Sequence, residues 1–418
     1  MTKPFTWPLA VSTFTLRDKL AIAWWLLRND RYTMGAKVEE LERRFSKLSG
    51  MHALCLSSGS AANQLVFELW KLKNPQKAGS PRPIVIAPAV TWISAVSPAI
   101  HAGFDVRFCD VNLTDLSFDY DKLEAMVAKL ARRKYQRIII WPTALIGFCP
   151  DMARLHALAK RYNADLYMDS CENTLSKVRI HGGRDGLVKE ESILASCDVT
   201  TTSCYFSHQC VMVEGGFIFL KSREDYELAK MFRNHGLIRS LGPHNPTAYE
   251  YAMRDPSIDP QFCFAVPGTN LRPTDVHAMF GLRDFERIKE SQMHRNRIYA
   301  HYHKRLTNVS KLTLEPLRMG ALYYLPPLTN SHSGFCLPIF TKGDNLSKIK
   351  AALRESGIEC RPIIGSNLLR QPALKGYGNP ADFPNAEWIH NHGCYVGLHR
   401  DVTTDMVDEL VDLLVSNP

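Results

Sequence analysis

His208 offers the clearest chemistry in this sequence. It stands in the stretch Ser203-Cys204-Tyr205-Phe206-Ser207-His208-Gln209-Cys210-Val211-Met212-Val213-Glu214-Gly215-Gly216. The β-branched residues 199–202 precede that stretch and the apolar run 217–220 follows it, so the reading is strand, loop, strand with a Gly-Gly turn. A lone His in a polar loop is more often structural than catalytic. What it can do is hold and pass a proton, because its ordinary pKa of about 6.5 lies near working pH. Two other places could serve it. The small-residue loop Ser57-Ser58-Gly59-Ser60-Ala61-Ala62-Asn63 opens a helical pattern at Leu65, Phe67 and Leu69. Such a loop offers free backbone N–H groups and a positive dipole end to a phosphate, although Ser is also an ordinary helix cap. Asp169 closes the apolar run 165–169, and a carboxylate at the carboxyl end of a sheet strand is well placed for a ligand.

These residues need a scaffold. Short apolar strands at 53–56, 84–87, 105–109, 137–141 and 165–169 alternate with helical patterns at 36–48, from 59, at 122–130 and at 152–162. The alternation predicts an α/β fold with a mostly parallel sheet flanked by helices. A helix is expected at 225–232, and a surface loop rich in Pro and polar residues at 242–263. Asp275 is expected to cap a long helix over 276–306. Beyond about 310 the pattern changes to short strands and helices, ending in a helix at 406–415. The expected division is a large ligand-binding domain over 1–305, with an N-terminal helical segment, and a small C-terminal α/β domain over 306–418.

Composition bounds the function. At 418 residues with 45% hydrophobic and 22% charged content, the chain reads as an ordinary soluble protein. A net charge of +9 is spread along the chain, which argues against nucleic-acid binding and suits a small anionic substrate. The apolar patch at 20–27 is too short to span a bilayer and reads as an amphipathic helix, so no membrane association is expected. None of the 11 Cys forms a C-x-x-C or C-x-C pair. No metal site is therefore indicated, and the scattered thiols suit the cytoplasm.

Taken together, the motifs resemble the DegT/DnrJ/EryC1/StrS sugar aminotransferases that depend on pyridoxal phosphate. In that family a phosphate-binding Ser precedes a Lys by five places and a Glu-Gly-Gly follows the Lys after six. Ser203 and Glu214-Gly215-Gly216 keep that spacing around position 208, which holds His. The resemblance continues through Gly59-Ser60-Ala61 (phosphate loop), Trp92 (stacked on the pyridine ring), Asp169 (facing the pyridinium nitrogen) and Glu172 (near the cofactor 3-hydroxyl). It also covers Gly268-Thr269-Asn270-Leu271-Arg272, whose Asn reaches the cofactor phosphate of a partner subunit. It spans residues 33–400, nearly the whole chain. Gln209 and Val213 depart from it, standing where His and Gly are frequent.

The resemblance implies a fold-type I aminotransferase-like architecture and a homodimer with shared sites. His cannot form a Schiff base with the cofactor aldehyde, whereas Lys can. The swap resembles the family's nucleotide-sugar 3-dehydratase branch. That implies removal of the C3 hydroxyl of a nucleotide-linked 4-keto-6-deoxyhexose, with GDP-4-keto-6-deoxy-D-mannose the first candidate. Pyridoxal phosphate and pyridoxamine phosphate would be the cofactor forms and glutamate the amine donor. His208 would be the catalytic residue, and Tyr205, Arg361, Asn367 and His399 the candidate substrate contacts. A related branch holds an iron–sulfur cluster on four Cys. Only Cys263 lies between the His208 segment and the small domain here, so no cluster is expected. The alternatives are a non-catalytic homologue that binds cofactor or nucleotide-sugar and, with less support, an aminotransferase.

Overall fold

The structure is a computed structural model. It describes residues 5–133, 136–181, 188–307, 312–313, 323–324, 332–341 and 343–417. Four parallel strands pair in the order Asp105–Cys109, Ile84–Pro88, Ile138–Ile140 and Asp165–Leu166. A second set runs His52–Leu56, Gly216–Leu220, Val199–Ser203 and Met168–Asp169. Its first two pairings are antiparallel and its last is parallel. Only Tyr167 separates the segments ending at Leu166 and starting at Met168, so the two sets meet at one kinked strand. The expected mixed, mostly parallel α/β sheet is present. Its runs of Ile and Val are buried because helices cover both faces.

The helices follow from local chemistry. Helix Ala36–Ser49 buries Val38, Leu41 and Phe45 on one stripe. Helix Gly59–Lys73 is capped by Ser58, whose Oγ accepts from the Ala61 N–H at 3.1 Å. Residues 242–263 are not a plain loop. Asn245 caps a helix, Pro246–Arg254, with Pro at the first position, where its missing N–H is harmless. An antiparallel hairpin, Lys177–His181 with Val188–Ser192, is a further feature that periodicity did not predict.

Asp275 corrects another expectation. Thr274 is the cap of its own helix, accepting from the His277 N–H at 3.2 Å. The chain then forms two helices, Asp275–Phe285 and Ile288–Thr307, instead of one. The Asp275 carboxylate turns to the helix Ala36–Ser49, whose N-cap, Gly35, has no side chain. Asp275 Oδ1 accepts from the N–H groups of Gly35 (2.9 Å) and Val38 (3.0 Å). A Cβ on Gly35 would lie 2.7 Å from Asp275 Oδ2, so the close approach requires glycine.

A five-stranded C-terminal sheet is ordered Leu312–Thr313, Tyr323–Tyr324, Cys336–Thr341, Gly393–Gly397 and Cys360–Pro362. One apolar cluster runs from Leu54 and Val85 in the main sheet to Ile339 and Val396 in this one. The N-terminal helix Leu16–Arg28 packs against Asp275–Phe285, with Asp18 paired to Arg287 (3.1 Å), but the residues before it reach the C-terminal part of the chain. Trp7 Nε1 donates to the Gly397 carbonyl (2.9 Å) and its backbone N–H to Gly357 (3.1 Å), while the Leu9 N–H donates to Glu359 (3.1 Å).

Loss of the Asp275 cap should be measurable. Asp275→Ala leaves two helix N–H groups without their acceptor and is expected to cost about 1–2 kcal/mol. Urea denaturation followed by circular dichroism would show a lower midpoint; an unchanged midpoint would contradict the capping role.

Candidate active site

The carboxyl edge of the main sheet opens into a cavity of about 700 Å³. Strands Ile84–Pro88, Ile138–Ile140, Met168–Asp169 and Val199–Ser203 lead into it through Thr91, Thr143, Asp169 and Ser203, and the helix Gly59–Lys73 presents its N-terminus. Of the residues expected from sequence, Gly59, Ser60, Trp92, Asp169, Glu172, Ser203, Tyr205, His208 and Arg361 all line it.

The loop between the antiparallel strands Val199–Ser203 and Gly216–Leu220 carries His208 into the cavity. Cys204 N–H donates to the Gly215 carbonyl (2.9 Å) and Met212 N–H to the Cys204 carbonyl (2.8 Å), closing the loop at its base. The imidazole stands edge-on to Tyr205 and Phe335, with ring centroids 5.8 and 5.5 Å away. Its Nδ1 is buried without a hydrogen-bond partner, so Nε2 is the nitrogen left to face the cavity. Burial, helped by the positive charge of Arg295, pushes its pKa from 6.5 down to about 4. The sequence suggested an imidazole titrating near neutrality; burial in the fold favours its neutral form well below that pH.

The two departures from the family pattern acquire physical meaning here. Gln209 is buried and ties the loop down on both sides. Its Oε1 accepts from Thr174 N–H (2.7 Å) and its Nε2 donates to Ser333 Oγ (2.6 Å). Val213 sits at φ 72°, a left-handed conformation that costs a β-branched residue energy and that glycine adopts freely.

Asp169 is buried. Its Oδ2 accepts from Asn63 Nδ2 (2.9 Å) and its Oδ1 from Cys171 N–H (3.0 Å). Both donors are neutral, and burial raises its pKa. Asn63 is held in turn by Thr201 Oγ1, which donates to Asn63 Oδ1 at 2.6 Å. Glu172 is also desolvated, and burial lifts its pKa from 4.5 to about 8 even though Oε2 accepts from Ile146 N–H at 2.6 Å.

Fit to a pyridoxal-type cofactor can be tested on these groups. The helix Gly59–Lys73 has no acidic residue in its first turn, so its N–H groups and dipole are available to a phosphate. A Cβ on Gly59 would lie 2.7 Å from the Ser203 Cβ, so the loop packs close to that Ser because it is glycine. Asp169 is a buried carboxyl with no cationic side chain paired to it among the described residues, which suits a protonated ring nitrogen. Trp92 keeps 57% of its surface exposed, a large aromatic left open on the cavity wall. The residues fit the group.

Four expected site residues lie elsewhere. Ala61 is buried behind the phosphate loop and contributes only its N–H to the Ser58 cap. Asn367 is fully buried and cannot meet substrate: Oδ1 accepts from Leu369 N–H (3.0 Å) and Nδ2 donates to Glu387 (2.6 Å). His399 is buried and hydrogen-bonded through Nε2 to the Pro8 carbonyl (3.1 Å), which secures the N-terminal segment. Asn270 is exposed and outside the cavity lining. Conversely, Asn63, Phe335, Tyr395 and Leu9 were not singled out. Asn63 lies one turn into the helix after the phosphate loop, a legible position. The other three arrive from distant parts of the chain.

Comparison with known proteins supplies the context. The model of the DegT/DnrJ/EryC1/StrS aminotransferase family matches residues 17–415. The chain is 28% identical to a GDP-4-keto-6-deoxy-D-mannose 3-dehydratase of Yersinia pseudotuberculosis, over 97% of this chain and 98% of that protein. The structure of the Escherichia coli GDP-4-keto-6-deoxy-D-mannose-3-dehydratase with bound hydrated PLP superposes with a TM-score of 0.80 at 23% identity. That match covers 98% of this chain and all of the other. A GDP-4-keto-6-deoxymannose-3-dehydratase with a trapped PLP-glutamate geminal diamine matches with a TM-score of 0.79 at 23% identity, again over 98% of this chain and all of the other.

The raised pKa of Glu172 has a testable consequence. Its protonated form is favoured by the fold, so that contribution to stability is complete below about pH 4.5 and is lost as pH rises through about 8. Glu172→Gln mimics the protonated carboxyl. Its thermal midpoint should match the parent near pH 4.5 and exceed it above pH 8; parallel curves would contradict the assignment.

Proposed function

The chain belongs to the DegT/DnrJ/EryC1/StrS aminotransferase family, and from that premise we propose that it is a nucleotide-sugar 3-dehydratase. It removes the C3 hydroxyl of a nucleotide-linked 4-keto-6-deoxyhexose, with GDP-4-keto-6-deoxy-D-mannose the first candidate, for deoxysugar biosynthesis. The observation that carries this reading is His208 at the position of the family's Lys, in a cavity with no lysine among its lining residues. Lys221, the nearest Lys in the sequence, is largely exposed and reaches Asp198 at 3.4 Å. The related 3-dehydratases support the choice of substrate, and the named PLP and PLP-glutamate complexes support the cofactor and glutamate.

Pyridoxamine phosphate, when bound, supplies an amine for the sugar ketone and a ring that accepts electrons from the neighbouring carbon. The protein's part is to hold and to move protons. The N-terminus of helix Gly59–Lys73, with Ser60 and Ser203, would bind the phosphate. Asp169 would keep a proton on the ring nitrogen, and the two neutral donors on its own oxygens leave its charge for that purpose. Trp92 would hold the ring plane. Glu172, protonated near neutral pH, can donate a hydrogen bond towards the ring hydroxyl. His208 Nε2 would take up a proton and deliver it to the departing C3 hydroxyl oxygen. An imidazolium made acidic by burial is a strong donor for that second task. Tyr205 and Arg361 are the proposed sugar-nucleotide contacts on the cavity wall.

The site is proposed to be shared by two subunits. Asn270 is exposed, and the neighbouring segment exposes Tyr249, Met253, Phe262 and Phe264. Exposed apolar side chains gathered around one segment suit a protein interface. The proposed location is the cytoplasm, which the scattered free thiols suit.

The test is product analysis with pyridoxamine phosphate, glutamate and GDP-4-keto-6-deoxy-D-mannose. The expected products are a 3-deoxy-4-keto sugar, with ammonia and 2-oxoglutarate formed one to one with it. A sugar that keeps oxygen at C3 and gains nitrogen at C4 would make the protein an aminotransferase. His208→Asn should lower the rate by about 10²–10⁴-fold while leaving cofactor binding nearly intact. Borohydride should attach no pyridoxyl group to the parent chain. Asn270→Ala should weaken cofactor binding; unchanged affinity would remove Asn270 from the site.

A further inference from the structure

Arg295 has no place among the ligand-binding residues proposed above, although its charge bears on His208. It lies on helix Ile288–Thr307 and is only 6% exposed. One arm, Nη1, donates to the Phe335 carbonyl (3.1 Å) and weakly to the Gly334 carbonyl (3.4 Å). Its Nε is buried with no hydrogen-bond partner. Among the described residues no carboxylate lies within 4.0 Å of the guanidinium. Burial lowers its pKa only to about 10, so it stays charged. Buried charges are ordinarily paired, because taking one out of water is costly. A buried cation held by two carbonyls calls for a function.

Clamping the backbone does not require a charge. Asn296 Oδ1 already accepts from the Gly334 N–H (2.8 Å), and Gln209 Nε2 holds Ser333 Oγ (2.6 Å). What the charge adds falls on the group beyond Phe335, whose ring stands against the His208 imidazole. We infer that Arg295 is a positioning residue for the reaction proposed above: it sets the backbone that carries Phe335 against the His208 ring, and it brings a buried positive charge to that wall of the cavity. The inference rests on the reading of His208 as the proton carrier.

The other charges around His208 do not cancel this field. Asp169 and Glu172 share the cavity, but burial raises both pKa values, so they oppose proton loss less than free carboxylates would. Glu214 lines the cavity from the same loop. Arg361 adds positive charge from the C-terminal sheet, though it is 60% exposed and paired with Glu359. Cys171, Cys336 and Tyr395 are held neutral by burial, and Tyr205 presents its ring edge. On the far side Asp284 faces Arg295 electrostatically, while its Oδ2 accepts from Val211 N–H (2.8 Å) at the end of the His208 loop.

The experiment is an NMR titration of the full chain with 13C-labelled imidazoles, without sugar. The His208 signal is identified by its loss in His208→Asn. In the parent, His208 should stay neutral until about pH 4. In Arg295→Met the midpoint should rise by about one pH unit, and in Arg295→Lys, which keeps the charge, it should stay near the parental value. A folded Arg295→Met with the parental midpoint overturns the inference. If that variant does not fold, the other two proteins decide: a midpoint near 6.5 in the parent, or a rise of about one unit in Arg295→Lys, overturns it equally. The titration reads the coupling whatever the substrate, so a failed product assay with the coupling intact sinks only the proposed reaction.

Discussion

A buried carboxyl with no cationic partner among the described residues organises this molecule. Asp169 sits at the kink where two sets of strands meet, and neutral amides supply both of its hydrogen bonds. A carboxylate in that position is costly unless a cation arrives. The sheet brings the rest of the site to the same edge. Parallel strands point their carboxyl ends one way, the helix Gly59–Lys73 turns its positive end there, and an antiparallel excursion delivers His208. The cavity is therefore polarised, with a demand for positive charge at Asp169 and for negative charge at Gly59. A ligand that is cationic at one end and anionic at the other balances it.

The same desolvation acts on each titratable group in the pocket, but in opposite chemical directions. It makes Glu172 a proton keeper and His208 a proton shedder. With their ordinary pKa values of 4.5 and 6.5 the two groups would both be charged in slightly acidic water; here both are neutral. The pocket enters its reaction with little charge of its own beyond the partners it offers to ligand.

Much of this was legible in the sequence, for local reasons. The strand runs at 84–87, 105–109 and 199–202, the Ser cap before Gly59 and the spacing around His208 are all short-range patterns, and they stand where expected. The helix at Pro246–Arg254 had an audible signal in Asn245-Pro246, masked by the polar composition around it. What was not legible depends on contacts across the chain. Asp275 looked like the cap of its own helix and serves another that begins 239 residues earlier, at Ala36 (275 − 36). Asn367 and His399 have the chemistry of substrate ligands, yet tertiary structure uses both as internal fasteners. Phe335 and Arg295 carry no motif; only their convergence on the His208 ring gives them meaning.

The segment from Trp7 to Ala10 is tied to residues far along the chain. Trp7 bonds to Gly397 across 390 residues, and Leu9 and Ala10 then form part of the cavity wall. During synthesis these first residues emerge with none of their partners yet made. They must wait, unpaired and apolar, until the ribosome has added Gly357, Glu359, Gly397 and His399. The pocket therefore acquires this wall only after residues 357–399 have been made, and a shorter chain that already holds His208, Asp169 and the phosphate loop still lacks an enclosed place to use them.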